Sequence, residues 1–258
     1  MMRRLRTLYE YFALYCSLSL LGILCLGWSV VALPLYFVLP EDRGTGVGRR
    51  GAMLGFRFYA WSLSITRAYR LDLSDLDRLR GGPPVVLAPN HPSLIDAPLI
   101  LTRHPDIACV IKSELMNNLF FGAGARLARY VGNDSPRQMI RQSVANLRRG
   151  YVLLLFPEGT RSRRTPINSL TASVGLIAKY ANVPVQTLLI ETDSPFLSKG
   201  WPLDRRPCLP ITYRVRLGKR FDPPEDAARF TEELERYFRL ALADAPQSRW
   251  LTLAETNA

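Results

Sequence analysis

Histidine is nearly missing from this chain, with two in 258 residues, His91 and His104. Cysteine is almost as scarce, with Cys16, Cys25, Cys109 and Cys208 scattered and no C-x-x-C pair or disulfide-like spacing. Without a Cys/His cluster a structural zinc has no ligands. Isolated cysteines read as free thiols facing a reducing compartment. There is no Gly-rich phosphate loop of the P-loop or dinucleotide type. There is also no G-x-S-x-G elbow, so Ser93 lacks the setting of a hydrolase nucleophile. Repeats and low-complexity tracts are absent. Acidic charge is in deficit: 22 Asp and Glu against 34 Lys and Arg leave a formal charge of +12. That balance suits a polyanion, either nucleic acid or an anionic membrane surface. Outside the apolar N-terminal segment no aromatics interleave with the basic runs, and no nucleic-acid motif occurs, which argues against the first.

Charge disappears altogether over residues 11–39, where Leu, Val, Ile, Phe and Tyr dominate. The run is long enough to cross a bilayer, too long for a signal peptide, and no A-x-A-like cleavage site follows it. Arg3, Arg4 and Arg6 precede it and Arg43, Arg49 and Arg50 follow, so the positive-inside rule puts both ends on the cytoplasmic side. Pro34 offers a kink. A single span and a hairpin dipping into one leaflet both fit. Residues 51–71 are apolar and aromatic but carry Arg57, Arg67 and Arg70, the pattern of an interfacial helix with Trp61 at headgroup level. Residues 1–71 are therefore expected to be membrane-attached helices. The polar stretch ending in Gly81-Gly82-Pro83-Pro84 reads as a linker, residues 72–246 as the main domain, and residues 247–258 as a loose tail.

In the main domain, short β-rich runs at 85–88, 107–111, 152–156, 184–190 and 211–217 alternate with helical patterns, which predicts a layered α/β domain with a central mixed sheet. The clearest helix has Ser135 as its cap, Pro136 at its first position and Gly150 past its end. Another spans about 171–181. A last amphipathic helix lies within 223–243, with Phe230, Leu234, Tyr237, Phe238 and Leu242 as a core-facing stripe.

Two strand ends carry chemistry. The first expected strand runs into Asn90-His91-Pro92-Ser93-Leu94-Ile95-Asp96. On one continuous helix, residues five apart diverge, so His91 and Asp96 meet only if His91 lies in the turn and Asp96 at the helix start. Pro98 suits that arrangement. Such a pair can act as general base and orienting carboxylate. By itself it reads equally as a turn with an N-capping Asp. The third strand runs into Phe156-Pro157-Glu158-Gly159-Thr160-Arg161-Ser162. Gly159 permits close backbone approach, and Arg161 presents a donor fork to phosphate or carboxylate. Arg163 and Arg164 either extend the positive field or are solvated.

Together, N-H-P-S-L-I-D and F-P-E-G-T-R-S resemble the glycerolipid acyltransferase family that includes the 1-acylglycerol-3-phosphate acyltransferases. The resemblance implies an α/β acyltransferase domain on the cytoplasmic face of the cell inner membrane. It implies an acyl-carrier-protein or coenzyme A thioester as donor, with no metal or prosthetic group and with membrane lipids as partners. In its terms His91 is the base and Asp96 its partner. Glu158, Gly159, Thr160 and Arg161 then contact the acceptor's polar head, and Lys112 belongs to a basic segment after the second strand. Two places depart from the pattern. Asn133 stands where an Arg that helps hold the acceptor phosphate is expected, and Val183-Pro184-Val185-Gln186-Thr187 lacks a second proline. The acceptor expected from the family is lysophosphatidate. Asn133 predicts weaker turnover on it than in relatives, and opens a lyso-aminolipid or other non-phosphatidate acceptor as the alternative. A membrane-bound lipid-binding module without activity is a further alternative, opposed by the intact His91 and Asp96.

Overall fold

The structure is a computed structural model that describes residues 2–164 and 166–248. The uncharged run folds as one helix, α1 (Met2–Val38), with Pro34 inside it. Helix α2 (Glu41–Ile65) turns back along it, and Tyr9 near the start of α1 donates its hydroxyl to the Thr66 carbonyl past the end of α2. The helix expected from residue 51 thus begins ten residues earlier. Among the described residues α1, over Arg4–Val38, is the helix long and apolar enough to cross a membrane by length and composition.

Then follow β1 (Tyr69–Asp72), a 3-10 turn (Ser74–Leu79), β2 (Val86–Pro89), α3 (Asp96–Leu101) and β3 (Ile107–Ile111). Next come α4 (Ser113–Met116), α5 (Gly122–Leu127), β4 (Val131–Gly132), α6 (Pro136–Arg148) and β5 (Val152–Leu154). The chain continues through α7 (Ser173–Ala181), β6 (Val185–Thr192), β7 (Ile211–Phe221) and α8 (Ala227–Ala241). One sheet runs in the order β1-β7-β6-β2-β5-β3-β4. Neighbours are parallel except β6 and β7, which pair antiparallel, so the sheet is mixed as expected. The polar stretch read as a linker holds β1 and the 3-10 turn instead. The expected boundary at 71/72 runs through β1, whose Asp72 pairs with Arg214 of β7.

Strand period decides which layer each side chain joins. Along β2, Leu87 faces a core shared with Phe56, Tyr59 and Leu63 of α2 and Leu99 of α3. Val86 and Ala88 face a second core with Val144 and Leu147 of α6, Ile177 of α7 and Phe238 of α8. Leu14 of α1 joins the first core, so the N-terminal helices pack on the sheet rather than standing apart. Capping follows the sequence: the Ser135 hydroxyl accepts the Gln138 N–H, and Asp226 accepts the N–H groups of Ala228 and Arg229. Gly150 has a positive φ, as a helix stop requires. The tail is tied down where it is described: Gln247 and Ser248 are buried, and Gln247 bonds Ile190 and Thr192 of β6. Residues 249–258 of the expected loose tail lie outside the described residues, as do Met1 and the side chain of Arg3.

Candidate active site

β2 and β5 are adjacent parallel strands, and both polar turns leave their C-terminal ends. In open α/β sheets this is where sites form. The exit from β2 is set by Asn90. Its side chain donates to the Ile190 carbonyl at 2.9 Å and accepts the Ile190 N–H at 2.7 Å, so an amide side chain continues the β2–β6 ladder. His91 lies in the turn and Asp96 is the first residue of α3. His91 Nδ1 and Asp96 Oδ2 are 2.7 Å apart. The buried Asp96 also accepts the Ser93 N–H at 2.8 Å on Oδ2 and the Tyr213 hydroxyl on Oδ1. Burial and the adjacent Asp96 carboxylate push the Tyr213 phenol well above its ordinary value, so it stays a donor.

The second turn holds the first. Glu158 accepts the His91 N–H at 2.9 Å, the Ser162 hydroxyl at 2.7 Å and the Asn168 N–H at 2.8 Å. The His91 carbonyl accepts the Ser162 N–H at 2.7 Å. The Phe156 ring stacks on the imidazole, centroids 3.9 Å apart. The ring is therefore fixed by its face, its backbone and Nδ1. It is 18 % exposed, and Nε2 takes no partner among the described residues. With Nδ1–H given to the carboxylate, Nε2 is the nitrogen that can accept a proton.

Glu158, expected at the acceptor's head, is instead an internal brace. It is buried, and burial pushes its carboxyl above the ordinary range against the pull of Asn168, Ser162 and His91. Gly159 has φ +65°, and a Cβ there would meet only the Thr171 methyl at an ordinary 3.9 Å, so it is required by the turn's left-handed backbone rather than by close approach. Arg161 donates from Nη1 to the carbonyls of Leu197 and Ser198 at 2.8 and 3.0 Å, and it senses the Asp96 charge. Thr160 Oγ1 accepts from Lys199 Nζ at 2.6 Å. Lys112 sits between β3 and α4, with its charge felt by Lys199. Asn133 offers no cation, and its Oδ1 accepts the Ser113 N–H at 3.2 Å. Its place in the fold is a brace for the start of α4. The sequence reading missed Asn90, Tyr213 and Lys199. Asn90 sat in the quoted motif without a role, Tyr213 follows the inward alternation of Ile211 and Val215, and Lys199 lies in a stretch without a motif. Among the described residues no three His, Cys, Asp or Glu gather to hold a metal.

Residues 70–191 match the family model described as Acyltransferase. The chain is similar to a protein of Pseudomonas aeruginosa named 1-acyl-sn-glycerol-3-phosphate acyltransferase, 24 % identical over 151 residues, covering 56 % of this chain. It spans 58 % of the length of that relative. Its fold is that of the crystal structure of the 1-acyl-sn-glycerophosphate acyltransferase PlsC from Thermotoga maritima, at TM-score 0.67 and 18 % identity, covering 94 % of this chain and 97 % of that one.

Proposed function

We propose, from the match of residues 70–191 to the Acyltransferase family model, that the chain is an O-acyltransferase of the glycerolipid type acting on a lyso-lipid hydroxyl. The observation that carries this reading is the pair His91 and Asp96 at 2.7 Å, with the carboxylate held by two further donors. His91 Nε2 removes the proton of the acceptor hydroxyl as its oxygen attacks the carbonyl carbon of an acyl thioester. The C–S bond then breaks, and the departing thiolate takes the proton from the imidazolium. Asp96 fixes the tautomer and balances the transient charge. The donor is a thioester of acyl carrier protein or coenzyme A. The acceptor is 1-acylglycerol-3-phosphate, in keeping with the name of the relative from Pseudomonas aeruginosa. Asn133 favours a second reading, an acceptor without a phosphomonoester such as a lyso-aminolipid, because it brings no charge.

The site opens on the cytoplasmic face of the cell inner membrane, with α1 and α2 as the membrane attachment. Basic flanks on both sides of the apolar run support that side. The direct test is acyl transfer by the purified chain, with coenzyme A and carrier-protein thioesters offered against a panel of lyso-lipids. His91→Ala is expected to lower kcat/KM by several kcal/mol of transition-state stabilisation, on the order of a thousandfold, with Asp96→Asn costing less. Near-normal transfer by folded His91→Ala would overturn the mechanism.

A further inference from the structure

The segment between β6 and β7 carries no motif, yet both motif turns are stitched to it. The Ser93 hydroxyl donates to the Phe196 carbonyl at 3.0 Å, and the Leu94 N–H donates to the Leu197 carbonyl at 3.0 Å. Arg161 adds its two bonds to Leu197 and Ser198. Leu197 itself is left-handed, φ +57°, a conformation that a branched side chain adopts only when its surroundings hold it. The segment is thus a third wall of the site, and part of the Arg161 fork is spent on clamping it.

The clamp delivers Lys199 to the second turn, where Nζ sits on Thr160 Oγ1. Lys112, Arg161 and Arg163 are close enough for their charges, after burial, to depress its pKa. None of these four cations forms an ion pair with a carboxylate among the described residues. Asp96, whose charge Arg161 senses, is already held by three donors, so the group keeps an excess of positive charge that an anion would relieve. An ammonium carries three donors, and Thr160 takes one of them.

We propose that Lys199 is a specificity-determining residue whose ammonium binds the phosphate of the lyso-lipid acceptor, supplying the cation that Asn133 does not. This rests on the acyl-transfer reading above. It reverses the expectation of weak lysophosphatidate turnover, which counted Arg161 alone. A thioester donor also carries phosphate, so acceptor and donor constants must be read separately.

The experiment is steady-state kinetics of the full chain in detergent micelles, with one acyl thioester and with lysophosphatidate or the uncharged monoacylglycerol as acceptor. Lys199→Met should raise KM for lysophosphatidate about ten- to hundredfold and shrink the preference over monoacylglycerol by a like factor. The thioester KM should stay put. Lys199→Arg should recover most of the loss, which separates charge from folding. The inference is overturned if the wild type transfers acyl groups while Lys199→Met leaves the lysophosphatidate KM within about twofold, or raises the thioester KM instead. If the wild type acylates no lyso-lipid, the acyl-transfer reading falls first, and the assignment of Lys199 with it.

Discussion

Asp96 receives three donors on two oxygens, and the Tyr213 hydroxyl is the one that comes from a distant strand. Tyr213→Phe keeps the ring in the core and deletes that donor. A buried oxygen left short of a donor costs about 1–3 kcal/mol, so kcat should fall roughly tenfold with the acceptor KM little changed. The loss would come from a carboxylate free to turn away from His91 once Oδ1 has no partner. A kcat identical to that of the wild type would show that Tyr213 is only packing. Glu158 allows a stability test with a worked sign. Its ordinary value is 4.5, and burial raises it in the fold, so above pH 4.5 the folded state holds a proton that the unfolded chain has lost. Stability must therefore fall as pH rises from 4.5 through the folded value. Glu158→Gln loses this dependence and also turns an amide NH2 toward N–H groups, a fixed cost of about 1–3 kcal/mol. The wild type should lose part of its lead over Glu158→Gln as pH rises, read as the difference in thermal midpoints. A lead that grows with pH would mean that the carboxylate is held ionised. His91, Asp96 and Arg161 were legible because the motifs name them. The Glu158 brace was not, since a carboxylate beside a turn reads as exposed until the three donors that converge on it are placed in space.

Helix α2 shows why part of the fold was hidden. Its first half carries Gly44, Gly46, Gly48 and Gly51, poor helix formers, and so the sequence reading began the helix too late. Tertiary packing overrides that weakness. A Cβ at Gly48 would sit 2.4 Å from the Ala128 nitrogen, so the glycine is what lets α2 lie against the end of α5. Buried Arg49 then reaches the Ala128 carbonyl at 3.0 Å and Asn146 Oδ1 at 2.8 Å. Gly48→Ala must push the two helices apart, at a cost of about 1–3 kcal/mol. The check is a thermal midpoint in detergent, where Gly46→Ala, with open space at its Cβ, should be neutral or stabilising. Equal midpoints for both variants would mean that the close approach carries no weight. Helices α6 and α8 were legible from caps and apolar spacing, and the inner strands from their β-rich runs. β1 and β4 were not. β1 is a four-residue edge strand with two charged residues, and β4 is two residues long, too short for any period to register.

For the molecule as a whole, the question is how α1 and α2 meet the membrane. At ~1.5 Å per residue, the 37 residues of α1 extend roughly 55 Å, well beyond a hydrocarbon core of about 30 Å. The helix rests on the domain along most of that length. Near its start, buried Glu10 pairs with Arg206, and Arg6 donates to the Leu209 carbonyl. Farther on, Ser29 donates to the Phe120 carbonyl, and Ala32 packs with Ala123 and Leu127. Just past its end, Glu41 meets Arg149 beyond α6 at 3.2 Å. A spanning α1 would have to carry its far end, and Glu41 with it, to the other side of the bilayer, and would break these contacts. Exposed apolar side chains are nevertheless plentiful: Phe12, Ile23, Val30 and Phe37 on α1, Leu54, Phe58 and Trp61 on α2, and Leu119 and Phe120 before α5. A face of that kind, on a chain of charge +12, suits burial in one anionic leaflet with the helices lying flat. The hairpin should therefore enter one leaflet and return. Single cysteines at Asp42, in the first turn of α2, and at exposed Arg229 on α8 can be offered a membrane-impermeant maleimide in intact cells and in inverted vesicles. Both should react from the cytoplasmic side, and neither from outside intact cells. Labelling of Asp42→Cys from outside, with Arg229→Cys protected, would make α1 a true span and would require the packing of α2 against α5 and α6 to be abandoned.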